Sequence, residues 1–96
     1  MTGDRLSSEA RVVREASLLS AEIGTEIVVL DPEEGAYYDT DAVGADVWRL
    51  VAQPIRIADL CKALQEMYEV DPATCEADVL AFLEAARSDN LIRVLD

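Results

Sequence analysis

Carboxylates are the commonest groups in this sequence that could do chemistry. There are 20 acidic side chains against 8 basic ones, and no histidine. The lack of histidine removes imidazole general bases, serine–histidine triads and histidine-ligated metal sites. Glu33 and Glu34 fall in a turn, where solvated carboxylates are ordinary. Asp39 and Asp41 flank Thr40, a spacing that does not make a calcium loop; Asp41 is better placed to cap a helix. The single lysine, Lys62, falls on the polar face of a helical stretch. Ser7, Ser8, Ser17, Ser20 and Ser88 belong to no nucleophile motif, and Gly3, Gly24, Gly35 and Gly44 form no phosphate cradle. Cys61 and Cys75 are in no metal-ligand spacing and sit on apolar helix faces, where a free thiol behaves as a small hydrophobe. The expectation is a protein that is not an enzyme, with no cofactor and no metal.

Bulk charge narrows the partner. At −12 over 96 residues, the chain is poorly suited to nucleic acid, whose binding draws on lysine and arginine replacing counterions. The same charge favours a partner carrying some positive charge. The apolar fraction of 51% is ample for a core. Met1–Ala10 has no apolar targeting segment, and runs such as Ile27–Leu30 are too short to span a bilayer. No membrane partner is expected, and the expected compartment is the cytoplasm.

The elements that must position any site follow from pattern. Residues 1–10 read as a flexible N-terminus, and 11–96 as a single domain. Arg11–Arg14 and Ser17–Ser20 fit one strand or a bent pair. Glu26–Asp31 is β-branched and bounded by turn residues, as a strand should be. Asp31-Pro-Glu-Glu-Gly35 then turns the chain, and Ala36–Asp39 returns as the last strand of a meander.

Helical spacing takes over from there. Asp41 caps a helix over about 42–52, with Val43, Val47, Leu50 and Val51 on one face. A second helix spans about 57–68, its apolar positions Ile57, Leu60, Cys61, Leu64, Met67 and Tyr68 forming one stripe. Asp71-Pro72 opens a third helix that runs to about Ser88, with Asn90 as its stop. On that helix Cys75, Val79, Phe82, Leu83 and Ala86 form one stripe, with Leu80 at its edge. Ala77, Ala81 and Ala85 form a second, smooth one. Leu91–Leu95 fits a short final strand. The class is α+β and winged-helix-like: a three-stranded antiparallel sheet followed by three helices.

Ala36–Asp39 is then an edge strand with free backbone groups, and Tyr37 and Tyr38 do little to blunt it. An edge beside a helix is the geometry for adding a peptide as a further strand.

The run Gly35-Ala-Tyr-Tyr, then Val43-Gly-Ala-Asp-Val-Trp-Arg-Leu50, then Asp71-Pro-Ala-Thr and Glu76-Ala-Asp-Val-Leu-Ala-Phe-Leu83 resembles the PqqD-like family. Its members are precursor-peptide recognition elements of ribosomal peptide-modification pathways. The resemblance covers about residues 24–92. It implies a domain that does no catalysis. It also implies that the leader segment of a precursor peptide adds to Ala36, Tyr37, Tyr38 and Asp39 and packs on Cys75, Asp78, Val79, Phe82 and Leu83. The partners it implies are that leader, a leader peptidase, and a cyclase or other modifying enzyme. The sequence most resembles the stand-alone leader-binding subunit of lasso-peptide systems. It departs from the family where a Ser or Thr usually caps the second helix; Arg56 and Ile57 stand there instead. The strand and helix content also fits a winged-helix nucleic-acid binder, which the charge opposes, or a generic protein-interaction module.

Overall fold

The computed structural model describes residues 6–95. Its elements run β1 (Arg11–Arg14), β2 (Leu19–Ile23), β3 (Glu26–Asp31), β4 (Ala36–Asp39), α1 (Ala42–Leu50), β5 (Ile55–Arg56), α2 (Ile57–Met67), α3 (Pro72–Ser88) and β6 (Ile92–Val94). The architecture is the expected α+β, with antiparallel strands and three helices. The strands form two three-stranded sheets, ordered β5-β1-β6 and β2-β3-β4.

The second sheet is the meander anticipated from the turn residues. Gly24 and Gly35 take positive φ of 64° and 71° at its two turns, where a side chain would be strained. At the β3–β4 turn the Asp31 carboxylate accepts from the amides of Glu33 (3.0 Å) and Glu34 (3.3 Å), and Gly35 N–H donates to the Asp31 carbonyl. Side chains alternate across each strand, so Ile27 and Val29 are buried while Val28 and Leu30 face outward.

The stretch Arg11–Ser20 divides between the two sheets. β1 pairs with β5 (Val12↔Ile55) and β6 (Val12↔Val94), and Val12 is fully buried. Among the described residues β2 pairs only with β3. Of the segment expected to be flexible, residues 1–5 lie outside the described residues. Of the rest, Leu6 joins the core, and its amide donates to the Glu84 carboxylate at 3.0 Å.

That segment also explains the departure at the start of α2. Arg56 makes no side-chain cap. The first amides of a helix still need acceptors, and here the backbone supplies them: Ile57 N–H donates to the Ala10 carbonyl (2.9 Å) and Ala58 N–H to that of Ser8 (2.8 Å).

The other two helices begin as their sequences require. Asp41 accepts from Gly44 N–H at 2.8 Å, and Asp71 from Thr74 N–H at 3.1 Å, with Pro72 in the first turn. At the end of α3, Asn90 adopts φ 62°; Leu91 N–H donates to Ala86 and Asn90 N–H to Arg87. This is a Schellman stop.

One aliphatic core holds the elements together. Val47, Trp48 and Val51 of α1 and its exit meet Ile27 and Val29 of the meander, Ile57, Leu60 and Leu64 of α2, and Val79 and Leu83 of α3. Each such side chain contributes roughly 1.5–3 kcal/mol when fully buried. A polar tie on the surface links three elements: Arg49 of α1 pairs with Asp46 (2.9 Å) and with Glu22 of β2 (3.0 Å), and the Tyr68 hydroxyl donates to Asp46.

Candidate functional site

Among the described residues β4 pairs with β3 alone, so its other side is an edge. Thr40 locks the strand's exit: its amide donates to the Ile27 carbonyl (3.0 Å), its hydroxyl donates to the same oxygen (3.1 Å) and accepts from Ile27 N–H (3.2 Å). Backbone groups alternate in direction along an antiparallel strand. Because Thr40 N–H points at β3, Tyr38 and Ala36 point there too, paired with Val29 and Asp31. The amides and carbonyls of Tyr37 and Asp39 therefore face away from β3. They give an added strand two donors and two acceptors.

The side chains of this strand divide differently. Tyr38 is half-buried and packs against the core, whereas Tyr37 lies exposed on the outer face of the sheet. Tyr38 alone of the pair is on the side shared with the helices.

Beyond the end of β4 the chain enters α1 through Thr40 and Asp41, and α1 meets α3. Between them lies a shallow hollow of about 190 Å³, lined by Asp41, Val43, Gly44, Val47, Asp78, Val79 and Phe82. Its wall is apolar, with Asp41 and Asp78 contributing carboxylates. The α3 residues named from the sequence thus separate. Asp78 is exposed, Phe82 half-buried and Val79 buried at the wall, and all three border the hollow. Cys75 and Leu83 are buried in the core and lie outside its lining.

The α1 side of the hollow was missing from the sequence reading, which placed Val43 and Val47 on a core stripe. One signal was available. Glycine inside a helix costs about 1 kcal/mol relative to alanine, so its presence points to a close approach. A β-carbon on Gly44 would lie 3.1 Å from Phe82 Cε2 and 3.1 Å from Thr40 Cβ. The bare backbone is what lets the Phe82 ring lie against α1.

The smooth stripe of α3 faces elsewhere. Ala77 and Ala81, with Leu80 and Glu84, form a second hollow, covered in part by Leu6.

Chemically the hollow can receive an apolar side chain and hold a neighbouring cation, while the strand edge holds backbone. Among the described residues no group of three or more His, Cys, Asp or Glu could hold a metal ion. Burial, more than the nearby Cys75, pushes the Cys61 thiol up to about 11, so it is protonated at neutral pH. No described helix is long and apolar enough to cross a membrane.

The sequence model for "Coenzyme PQQ synthesis protein D (PqqD)" matches residues 26–92. The chain is similar to the solved structure "TbiB1 in Complex with the TbiA(beta) Leader Peptide", at 32% identity over 84% of this chain and 94% of that one, with a TM-score of 0.79. It shares its fold with "Lasso peptide synthetase B1 complexed with the leader peptide", at 20% identity, 85% and 96% coverage and a TM-score of 0.76. No curated protein matches the sequence.

Proposed function

The chain belongs to the PqqD family, and from that premise we propose that it binds the leader segment of a ribosomally made precursor peptide. The leader joins the sheet as a strand on β4, and the domain presents it to a leader peptidase and a cyclase without catalysing a step itself. A lasso-peptide system is the favoured setting. The observation that carries this reading is the free edge of β4, followed two residues on by Asp41 at the rim of an apolar hollow, in a chain 32% identical to a protein whose structure is a leader-peptide complex.

The energetics fit a two-part site. Four added ladder bonds contribute roughly 2–6 kcal/mol at about 0.5–1.5 each. That about offsets the ordering of a flexible peptide. Net affinity then comes from side chains in the hollow, where Val43, Val47, Val79 and Phe82 offer apolar contact and Asp41 and Asp78 offer charge. Ala36, Tyr37, Tyr38 and Asp39 supply the strand, and Cys75 and Leu83 support the α3 wall from behind.

The test is titration of the purified domain with the leader of the precursor encoded beside it. Binding tighter than about 100 μM is expected, and its absence defeats the reading.

A further inference from the structure

The meander carries a second surface that peptide addition leaves open. Register puts Leu19, Ala21 and Ile23 of β2 on the same face as Leu30 and Val28 of β3 and Tyr37 of β4. This face points away from the core. Tyr37 is 68% exposed, Ile23 64%, Leu19 58% and Leu30 39%. Leu19, Leu30 and Tyr37 stand side by side in one cross-strand row, over a shallow apolar hollow of about 380 Å³. Apolar residues exposed singly need no explanation; here Leu19, Leu30 and Tyr37 are direct neighbours, and Val28 and Ala21 extend the row along the strands.

We propose that this outer face docks the enzyme that receives the bound peptide, through an apolar patch on that enzyme edged by lysine and arginine. The proposal rests on the leader-binding reading for what occupies β4.

Charge selects that partner. The sequence from Glu15 to Trp48 contains no lysine or arginine. Exposed Glu26 and Asp39 share the outer face, and exposed Glu33 and Glu34 sit on the turn at its other end. A basic rim opposite them would steer and orient the encounter. A second copy of this chain would bring another −12 to the same place.

Area argues the same way. Three strands about 4.8 Å apart and five residues long at about 3.4 Å present roughly 250 Å². A stable dimer commonly needs about 800 Å² from each partner. A patch this small suits an encounter that ends once the peptide has been passed on. The face is also continuous with the peptide site: a strand added to β4 widens it from three strands to four, and alternate peptide side chains join it. The receiving enzyme would thereby distinguish a loaded domain from an empty one.

The experiment titrates the leader peptidase encoded beside the chain into the domain–leader complex, for the wild type and for the L19S/L30S double variant. Both residues are exposed and neither belongs to the peptide site, so circular dichroism and leader affinity should be retained. Peptidase binding should weaken by about tenfold or more, as for loss of a central interface anchor. The wild-type interaction should also weaken as salt is raised. I23S, at the opposite corner of the patch, should act in the same direction and serves if the double variant misfolds. Peptidase binding that is absent in the wild type, or unchanged in the folded variant, overturns the proposal. So does a wild-type dimer in sedimentation that the variant abolishes, because a second copy would then cover the face. Failure of the wild type to bind leader defeats the earlier reading alone; peptidase binding lost on L19S/L30S would still uphold this surface.

Discussion

The edge of the Phe82 ring lies only 3.1 Å from where a β-carbon on Gly44 would be. Gly44 and Phe82 join α1 to α3 at the hollow that begins at Asp41, and their contact sets its width.

Gly44→Ala is therefore a test of groove shape. The added methyl must displace the ring or crowd Thr40, while helix propensity improves by up to about 1 kcal/mol. The opposing effects should leave the urea midpoint nearly unchanged. Leader affinity, read by calorimetry, should fall about tenfold, the cost of roughly 1.4 kcal/mol of misfit. Unchanged affinity would mean that the ring does not contact the peptide.

Neighbours on α3 should separate binding from stability. Leu83 is fully buried and Phe82 is half-exposed at the hollow. Leu83→Ala should cost about 2–5 kcal/mol of unfolding free energy. Phe82→Ala should cost less stability and lose most leader binding. Denaturant melts and leader titrations on both variants check the contrast; equal behaviour would place both in the core alone.

Strand addition predicts a position-specific effect of proline. The Asp39 amide faces away from β3 and the Tyr38 amide faces toward it, a consequence of Thr40 donating to Ile27. Proline removes a donor and is tolerated at strand edges. Asp39→Pro should keep the fold and weaken leader binding well beyond the Asp39→Ala control, whereas Tyr38→Pro should destabilise the meander. Equal leader affinity in the proline and alanine variants would argue against a backbone ladder.

Alkaline pH should weaken the fold through Cys61. Burial raises its folded pKa from 9.0 to about 11. Between those values the unfolded chain has lost the proton and the folded chain keeps it, so stability present below pH 9 declines as pH rises toward about 11. The loss is on the order of 2–3 kcal/mol. Tyr68 acts in the same direction, because its hydroxyl donates to Asp46 and its pKa is raised. Urea unfolding across this range should show the decline, and Cys61→Ala should flatten part of it. An identical slope in the variant would mean that the thiol ionises alike in the folded and unfolded chains.

The parts of the fold written locally were legible in the sequence. Asp41 and Asp71 cap their helices with their own carboxylates, and Gly35 sits at a positive φ that its turn demands. What depended on distant partners was hidden. β1 separates from β2 because Val12 finds Ile55 and Val94, and a strand as short as β5 carries almost no periodic signal of its own. The candidate site divided along the same line. Val79 and Phe82 stand on the apolar stripe of one helix, and Asp78 came with the family resemblance. Val43, Gly44 and Val47 belonged to the site only once α1 lay against α3. The outward turn of Tyr37 came from pairing register, which alternation in a four-residue strand leaves unassigned.

The carbonyls of Ser8 and Ala10, which receive the first amides of α2, also constrain how this domain can be engineered. Trimming to Arg11, where the first strand begins, would strip both acceptors from α2 and remove Leu6 from the core. A unit grafted onto another scaffold therefore has to keep Leu6–Ala10 ahead of the first strand.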